Sequence, residues 1–132
     1  MLRGDFFTIT HTELIPEDAS LPGTEQFILT VGLNPRHPIY DGHFPGNPVV
    51  PGVCQVQMVK EGLEAVRQTP GLLTSAGNIK FLNMIVPSEH PQLTIRYKTR
   101  TAGPDTVDFS ATISSGSTIF LKINGMLCTK PS

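Results

Sequence analysis

The chain has 132 residues, a length that suits one domain, residues 1–132, built around a single hydrophobic core. Charged residues make up 16% of the sequence and the formal net charge is −1, so bulk electrostatics give no reason to expect nucleic acid as a partner. The first residues lack the long apolar segment of a signal peptide, and no apolar run approaches the ~18 residues that cross a bilayer. We therefore expect a cytoplasmic protein without membrane insertion.

Glycine and proline, 12 of each, separate short predicted elements. In chain order these are strands over residues 5–15 and 25–33, a Pro/Gly-rich loop over 35–52, a helix over 53–68, and strands over 76–86, 91–101, 105–115 and 117–129. In the helix, apolar residues recur at steps of three and four and predict its core-facing side: Val56, Val59, Leu63 and Val66.

This order of elements predicts the α+β class. One helix cannot cover both faces of a large sheet, and connections of hairpin length favour antiparallel pairing of the strands that follow it. A single long helix wrapped by a curved antiparallel sheet is the hotdog arrangement, which we therefore expect.

The cysteines and histidines give no metal-binding pattern. Cys54 and Cys128 are too far apart in the sequence to form a C-x-x-C pair, and we expect two buried, reduced thiols. The four histidines match neither H-x-x-x-H nor H-E-x-x-H, so no metal is expected. His11, His37 and His90 are expected to be ordinary surface or loop residues.

The most specific segment is His43-Phe44-Pro45-Gly46-Asn47-Pro48-Val49-Val50-Pro51-Gly52-Val53, which leads into the predicted helix. Together with Lys80-Phe81 and Ile85-Val86-Pro87-Ser88-Glu89, it resembles the 3-hydroxyacyl-[acyl-carrier-protein] dehydratases of the FabZ/FabA type. The resemblance covers roughly residues 24–125, with Met84 and Ser88 where the family has proline and glycine. It implies a hotdog homodimer, or a higher oligomer, whose site is shared between two subunits.

Dehydration of a 3-hydroxyacyl thioester needs a base that removes the proton α to the carbonyl, and histidine titrates in the useful range. The negative charge that develops on the thioester oxygen can be stabilised by N–H groups at the start of a helix. Gly52 stands at the start of the predicted helix, where a missing side chain allows close approach to its N–H. By resemblance, His43 is the base and the Gly52 N–H is the oxyanion donor.

Gln57 stands where the family has its second catalytic group, an Asp or Glu fourteen residues after the histidine on the helix of the partner subunit. An amide forms hydrogen bonds but delivers no proton, and loss of a general acid typically costs ~10²–10⁴ in rate. We expect Gln57 to orient the substrate. Asp41 and Glu61 are alternative acids, although a turn-forming aspartate and solvated glutamates at Glu61 and Glu64 are the simpler expectation.

For the acyl chain, we expect Phe44, Val53 and Phe81, with Met84, to line a tunnel, although core packing is a simpler explanation for such residues. The resemblance implies a substrate carried on the phosphopantetheine of acyl carrier protein or as a CoA thioester, and no further cofactor. Basic residues that could contact a carrier protein are Lys80, Lys60, Arg67 and Arg36.

Three functions follow as hypotheses. The first is a dehydratase that acts on (3R)-3-hydroxyacyl thioesters of acyl carrier protein in fatty-acid or related lipid or polyene biosynthesis. The second, motivated by Gln57, is a catalytically impaired hotdog subunit that binds acyl thioesters or supports an active dehydratase partner. The third is an acyl-thioester hydrolase in which His43, Asp41 or Glu61 activates a water molecule.

Overall fold

A computed structural model describes residues 2–16, 22–42, 46 and 48–129 of the chain. These residues form six strands and two helices: β1 (Phe7–Ile15), β2 (Thr24–Leu33), α1 (Ile39–Gly42), α2 (Gly52–Arg67), β3 (Leu72–Phe81), β4 (Gln92–Gly103), β5 (Thr106–Ser115) and β6 (Thr118–Cys128). Within the described part of the chain, no helix combines the length and the apolar character needed to cross a membrane.

The strands form one antiparallel sheet in the order β1-β2-β4-β5-β6-β3, which leaves β1 and β3 at its two edges. Along much of β4 and β5, buried residues alternate with more exposed ones, so one face of these strands is buried in the core and the other meets solvent. The inner face packs against α2, which confirms the predicted arrangement of one long helix against an antiparallel sheet.

Close packing between α2 and the sheet depends on Gly62. A β-carbon at Gly62 would collide with the hydroxyl of Tyr97 on β4, and it would lie 2.8 Å from Cδ1 of Leu29 on β2. The Tyr97 hydroxyl donates a hydrogen bond of 2.8 Å to the backbone carbonyl of Val59. The small residue therefore lets the helix backbone approach the sheet closely enough for this bond to form.

The buried face of α2 differs from the predicted one. Val59 and Leu63 are buried as predicted, but Val56 and Val66 are only half-buried. Their places in the core are taken by residues spaced four apart along the helix: Cys54, Met58 and Gly62. The face of α2 that packs against the sheet is therefore rotated about the helix axis, relative to the face predicted from Val56 and Val66.

Six of the predicted elements are confirmed with boundaries within two residues, and β3 is the exception. The strand predicted over residues 76–86 begins at Leu72 and ends at Phe81. It ends there because the chain then leaves the sheet edge, buries Ile85 in the core and uses the Ile85 carbonyl to accept a hydrogen bond from Val50 N–H (2.9 Å).

Two smaller expectations are also corrected. The predicted loop over residues 35–52 contains the short helix α1, because the side chain of Tyr40 packs into the core and holds this turn against the domain. Both cysteines are free, but only Cys54 is buried; Cys128, at the end of β6, is half-buried. Burial raises the pKa of the Cys54 thiol, so this side chain behaves as an apolar core residue.

Candidate active site

The site predicted from the sequence lies between α1 and the start of α2. Tyr40 anchors α1 by packing against Phe6, with 5.7 Å between the ring centroids, and Asp41 next to it is exposed. His43 and Phe44 lie outside the described residues, so their roles as base and substrate contact remain predictions.

Helix α2 begins at Gly52 without a side-chain cap. The carbonyl of Pro51 accepts hydrogen bonds from Cys54 N–H (3.0 Å) and Gln55 N–H (3.1 Å). The N–H groups of Gly52 and Val53 belong to the first turn, where a helix offers no acceptor of its own. Such a helix start is suited to binding a carbonyl oxygen that gains negative charge.

A groove of about 590 Å³ opens at this helix start. Its walls are residues 49–52, residues 81–84 and Gln55, and they are mostly apolar. The ring of Phe81 lies over Gly52, where an added β-carbon would be 2.9 Å from its Cζ atom. The structure thus brings together Gly52 and Phe81 of the predicted site, while Val53 is 75% exposed and is not among these lining residues.

Gln55 is a site residue that the sequence analysis missed. Its side chain is 3% exposed, and its Nε2 donates a long hydrogen bond of 3.4 Å to the Val50 carbonyl. Its Oε1 is buried and has no hydrogen-bond partner among the residues that the structure describes. The sequence did hold a signal, because residues three apart on a helix share a face and Gln55 follows Gly52 by three.

Gln57 and Glu61 form a hydrogen-bonded pair on α2, as their spacing of four predicts. Gln57 Nε2 donates to Glu61 Oε2 at 2.8 Å. The same carboxylate accepts hydrogen bonds from the backbone N–H groups of Leu2 (2.8 and 2.9 Å) and Arg3 (2.8 Å). Glu61 is only 4% exposed, so the expectation of a solvated glutamate is wrong, because the turn before β1 covers it and supplies these donors.

These contacts determine the charge of Glu61 and the orientation of Gln57. Burial alone would raise the pKa of the Glu61 carboxyl, but the hydrogen bonds from Leu2, Arg3 and Gln57 outweigh it and hold that pKa below its usual range. An ionised carboxylate only accepts hydrogen bonds, so the NH₂ group of Gln57 must face it and the Gln57 Oε1 must face away. In this state Glu61 has no proton to donate to a substrate.

Two other histidines make local contacts elsewhere. His37 Nε2 lies 3.1 Å from Asp5 Oδ2, and His90 Nδ1 accepts a hydrogen bond of 3.2 Å from Val86 N–H. Among residues 2–16, 22–42 and 48–129, no cluster of three or more His, Cys, Asp or Glu side chains is placed to hold a metal ion.

Comparisons with known proteins agree with this architecture. A family profile described as ApeI dehydratase, of the ApeI-like family, matches residues 19–121. The chain is 33% identical over 67 residues to the 3-hydroxyacyl-[acyl-carrier-protein] dehydratase FabZ of Alkaliphilus metalliredigens, an alignment that covers 46% of each protein. It spans about half of the length of the curated relatives that it matches.

Solved structures show the same fold at low sequence identity. The dehydratase heterocomplex ApeI:P from Xenorhabdus doucetiae matches with a TM-score of 0.60 and 20% identity, over 91% of this chain and 96% of that chain. A thioesterase candidate from Lactococcus lactis matches with a TM-score of 0.62 and 14% identity, over 93% and 92% of the two chains. These likenesses confirm the predicted α+β hotdog fold. The profile match extends over most of the sequence, and the chain therefore belongs to the ApeI-like dehydratase family.

Proposed function

We propose that this protein is a dehydratase that removes water from 3-hydroxyacyl groups held as thioesters on the phosphopantetheine of acyl carrier protein or of CoA. The observation that carries the proposal is the uncapped start of α2 at Gly52, which borders an apolar groove and ends the segment that resembles the dehydratase active site. Family membership and the FabZ relatives support the same class of reaction. A cytoplasmic role in fatty-acid or related lipid biosynthesis is consistent with it.

In the proposed reaction, His43 removes the proton α to the thioester carbonyl. The electron pair of that C–H bond becomes the new double bond, and the bond from the β-carbon to the hydroxyl oxygen breaks. The N–H group of Gly52 stabilises the charge on the thioester oxygen. Because Gln57 is an amide, the protonated His43 is the group that returns a proton to the departing hydroxide, and Gln57 orients the substrate.

We also propose that two subunits share the site. β3 lies at an edge of the sheet, and large apolar side chains along and after it are exposed: Leu72, Ile79, Phe81, Leu82 and Met84. A second hotdog subunit would cover such an edge, as a homodimer or as part of a higher oligomer.

A second candidate function is that of an impaired subunit that supports an active dehydratase. Gln57, at the position where the family has an acid, is the observation that favours it, and the ApeI:P protein of Xenorhabdus doucetiae is itself a heterocomplex. An acyl-thioester hydrolase is the third candidate, since a thioesterase candidate shares the fold.

A carrier protein would be recognised by charge on the outer face of the sheet. In the strand register, Lys80 pairs with Lys122, Lys122 with Thr112, and Thr112 with Arg96, so three cations lie in one row. Lys98 is the next outward-facing residue of β4. The ion pairs found among the described residues involve none of these cations; Lys60, in contrast, pairs with Glu64 at 3.4 Å. We propose that this row contacts the acidic surface of the carrier.

The test is an assay of the purified protein with 3-hydroxyacyl- and 2-enoyl-pantetheine thioesters, in which enoyl absorbance and free thiol are followed together. Interconversion of the two without thiol release is the expected result, and His43→Ala should abolish it while His11→Ala, a change on β1, should not. Release of thiol would instead identify a hydrolase. No turnover until a second dehydratase subunit is added would identify a supporting subunit.

A further inference from the structure

The carbonyl oxygen of the Gln55 side chain is a buried hydrogen-bond acceptor beside the groove. It is buried, it belongs to a side chain that is 3% exposed, and none of the described residues donates to it. Buried polar atoms in proteins are nearly always satisfied, and an unpartnered one calls for a ligand or a water molecule that completes it. Because Gln55 lines the groove at Gly52, a molecule in that groove is the natural donor.

The orientation of this amide is fixed by its neighbour. The Nε2 atom of Gln55 faces the backbone carbonyl of Val50, which can only accept a hydrogen bond. Exchanging the two amide atoms would place two acceptors against each other. The atom of the Gln55 amide that Val50 leaves unused is therefore Oε1, which is an acceptor and not a donor.

The start of α2 supplies a hydrogen-bond donor about one helical turn away from the Gln55 acceptor. Side chains on a helix point back towards its N-terminus, so the Gln55 amide lies over the turn that begins at Gly52. A ligand in this groove therefore meets the N–H donor of Gly52 and one acceptor at Gln55, between mostly apolar walls. It must carry an acceptor and a donor about one helical pitch, ~5.4 Å, or less apart.

A 3-hydroxyacyl thioester carries this pair, with its carbonyl oxygen on the first carbon and its hydroxyl on the third. We propose that Gln55 Oε1 accepts a hydrogen bond from the 3-hydroxyl group and so makes the site selective for hydroxyacyl over enoyl and saturated acyl groups. The inference rests on the proposed function and adds to it the residue that distinguishes substrate from product. The enoyl product has no hydroxyl on this carbon and leaves the buried acceptor unpaired.

The sequence alone points to Gln57 for this contact, but the structure separates the two glutamines. Gln57 is half-buried beside Glu61, its NH₂ group is used there, and it is not among the residues that line the groove. Gln55 is buried and lines the groove, and its Oε1 has no donor among the residues that the structure describes. Selectivity for the hydroxyl should therefore follow residue 55 and not residue 57.

The experiment measures the affinity of unreactive pantetheine analogues in which an amide replaces the thioester. The probes are the 3-hydroxyhexanoyl and hexanoyl analogues, titrated into the wild type, Gln55→Leu and Gln57→Leu. An unpaired buried acceptor predicts that the wild type binds the hydroxy analogue ~5- to 150-fold more tightly. Gln55→Leu should bring the two affinities together. Gln57→Leu can lower both affinities, because Gln57 is proposed to orient the substrate, but it should keep their ratio. Thermal unfolding checks that each variant is folded, and Gln55→Met serves as a second variant at the same position.

Several results would overturn the inference. Equal affinities in the wild type would mean that water already satisfies Gln55, and a preference that persists in Gln55→Leu would place the hydroxyl elsewhere. A preference lost in Gln57→Leu alone, or no binding of either analogue, would also contradict it. The proposed reaction is tested independently, by the turnover assay. An inactive protein can still bind these analogues, with or without a preference, so failure of the reaction and failure of this inference are distinguishable.

Discussion

At the scale of single residues, the carboxylate of Glu61 determines what Gln57 can do. It is buried and ionised, and it accepts hydrogen bonds from the N-terminal backbone and from the Gln57 amide. Gln57 is therefore held with its oxygen outward, as an acceptor. The Gln57–Glu61 pair therefore connects two features: Glu61 anchors the N-terminal turn, and residue 57 stands where the family has its catalytic acid.

Glu61→Gln should destabilise the fold, because a neutral amide replaces the ionised acceptor of the Leu2 and Arg3 N–H groups. Hydrogen bonds to charged groups contribute about 1.5–3 kcal/mol each, and we expect a loss of this order in the free energy of unfolding at pH 7. Urea unfolding measures it. Glu13→Gln, on the exposed face of β1, is the matched control and should change little.

The same carboxylate predicts a dependence of stability on pH. The pKa of Glu61 is lowered in the folded state from its ordinary value of 4.5, so its contribution is present above pH 4.5 and is lost as the pH falls through the folded-state pKa. Glu61→Gln should lack this part of the acid destabilisation. If Glu61→Gln lost stability in acid as steeply as the wild type, Glu61 would not be the source of the pH dependence.

These residue-scale features were only partly predictable from the sequence. A helical spacing of four predicted that Gln57 and Glu61 share a face. The burial of Glu61 was not predictable, because its donors, Leu2 and Arg3, are 59 and 58 positions away in the chain. Gln55 was missed for a related reason: a glutamine in an amphipathic pattern suggests exposure, and only the packed groove shows otherwise.

At the scale of elements, the distance between α2 and the sheet is set by Gly62. Its hydrogen faces the Tyr97 hydroxyl, which bonds to the carbonyl of Val59 one turn earlier in the same helix. This contact holds the middle of α2 and, through it, the position of the helix start that borders the groove.

Gly62→Ala should therefore destabilise the protein although alanine favours helices. Overpacking a core typically costs about 1–3 kcal/mol, which exceeds the gain in helix propensity of about 1 kcal/mol at most. Gly77→Ala on β3 is the control, since nothing lies within 4 Å of a β-carbon added there. Denaturant unfolding compares the two, and equal stabilities would contradict this account of helix packing.

How well each strand could be predicted depends on its place in the sheet. β5 has one buried face, so its residues alternate and its ends were predicted within one residue. β3 lies at the edge, almost all of its residues are exposed, and its pairing with β6 contains register shifts. No alternation marks such a strand in the sequence, and its predicted boundaries were wrong by four residues or more.

At the scale of the whole molecule, charge is distributed unevenly although the net charge is only −1. The outer face of the sheet brings Lys80 directly opposite Lys122, a like-charged pair that costs free energy unless an anion lies nearby. This placement favours a partner with a discrete acidic surface.

Lys122→Gln should weaken the binding of acyl carrier protein by about 2- to 5-fold, more at low salt than at high salt, as expected for an exposed charge. Turnover of free pantetheine thioesters should not change, because no carrier takes part. Arg3→Gln, an exposed change in the turn before β1, is the control. Equal carrier affinity in both variants would show that the outer face of the sheet does not bind the carrier.

The most direct test of the central claim, dehydratase chemistry limited by the missing acid, compares Gln57→Glu with the wild type in the thioester assay. The new carboxyl would face the ionised Glu61, and repulsion between the two charges would raise its pKa and keep it protonated. We predict turnover of the 3-hydroxyacyl thioester at least ~10²-fold faster than in the wild type, falling as the pH rises through that pKa. Equal or lower turnover, in a variant that is folded and binds the substrate, would contradict the account.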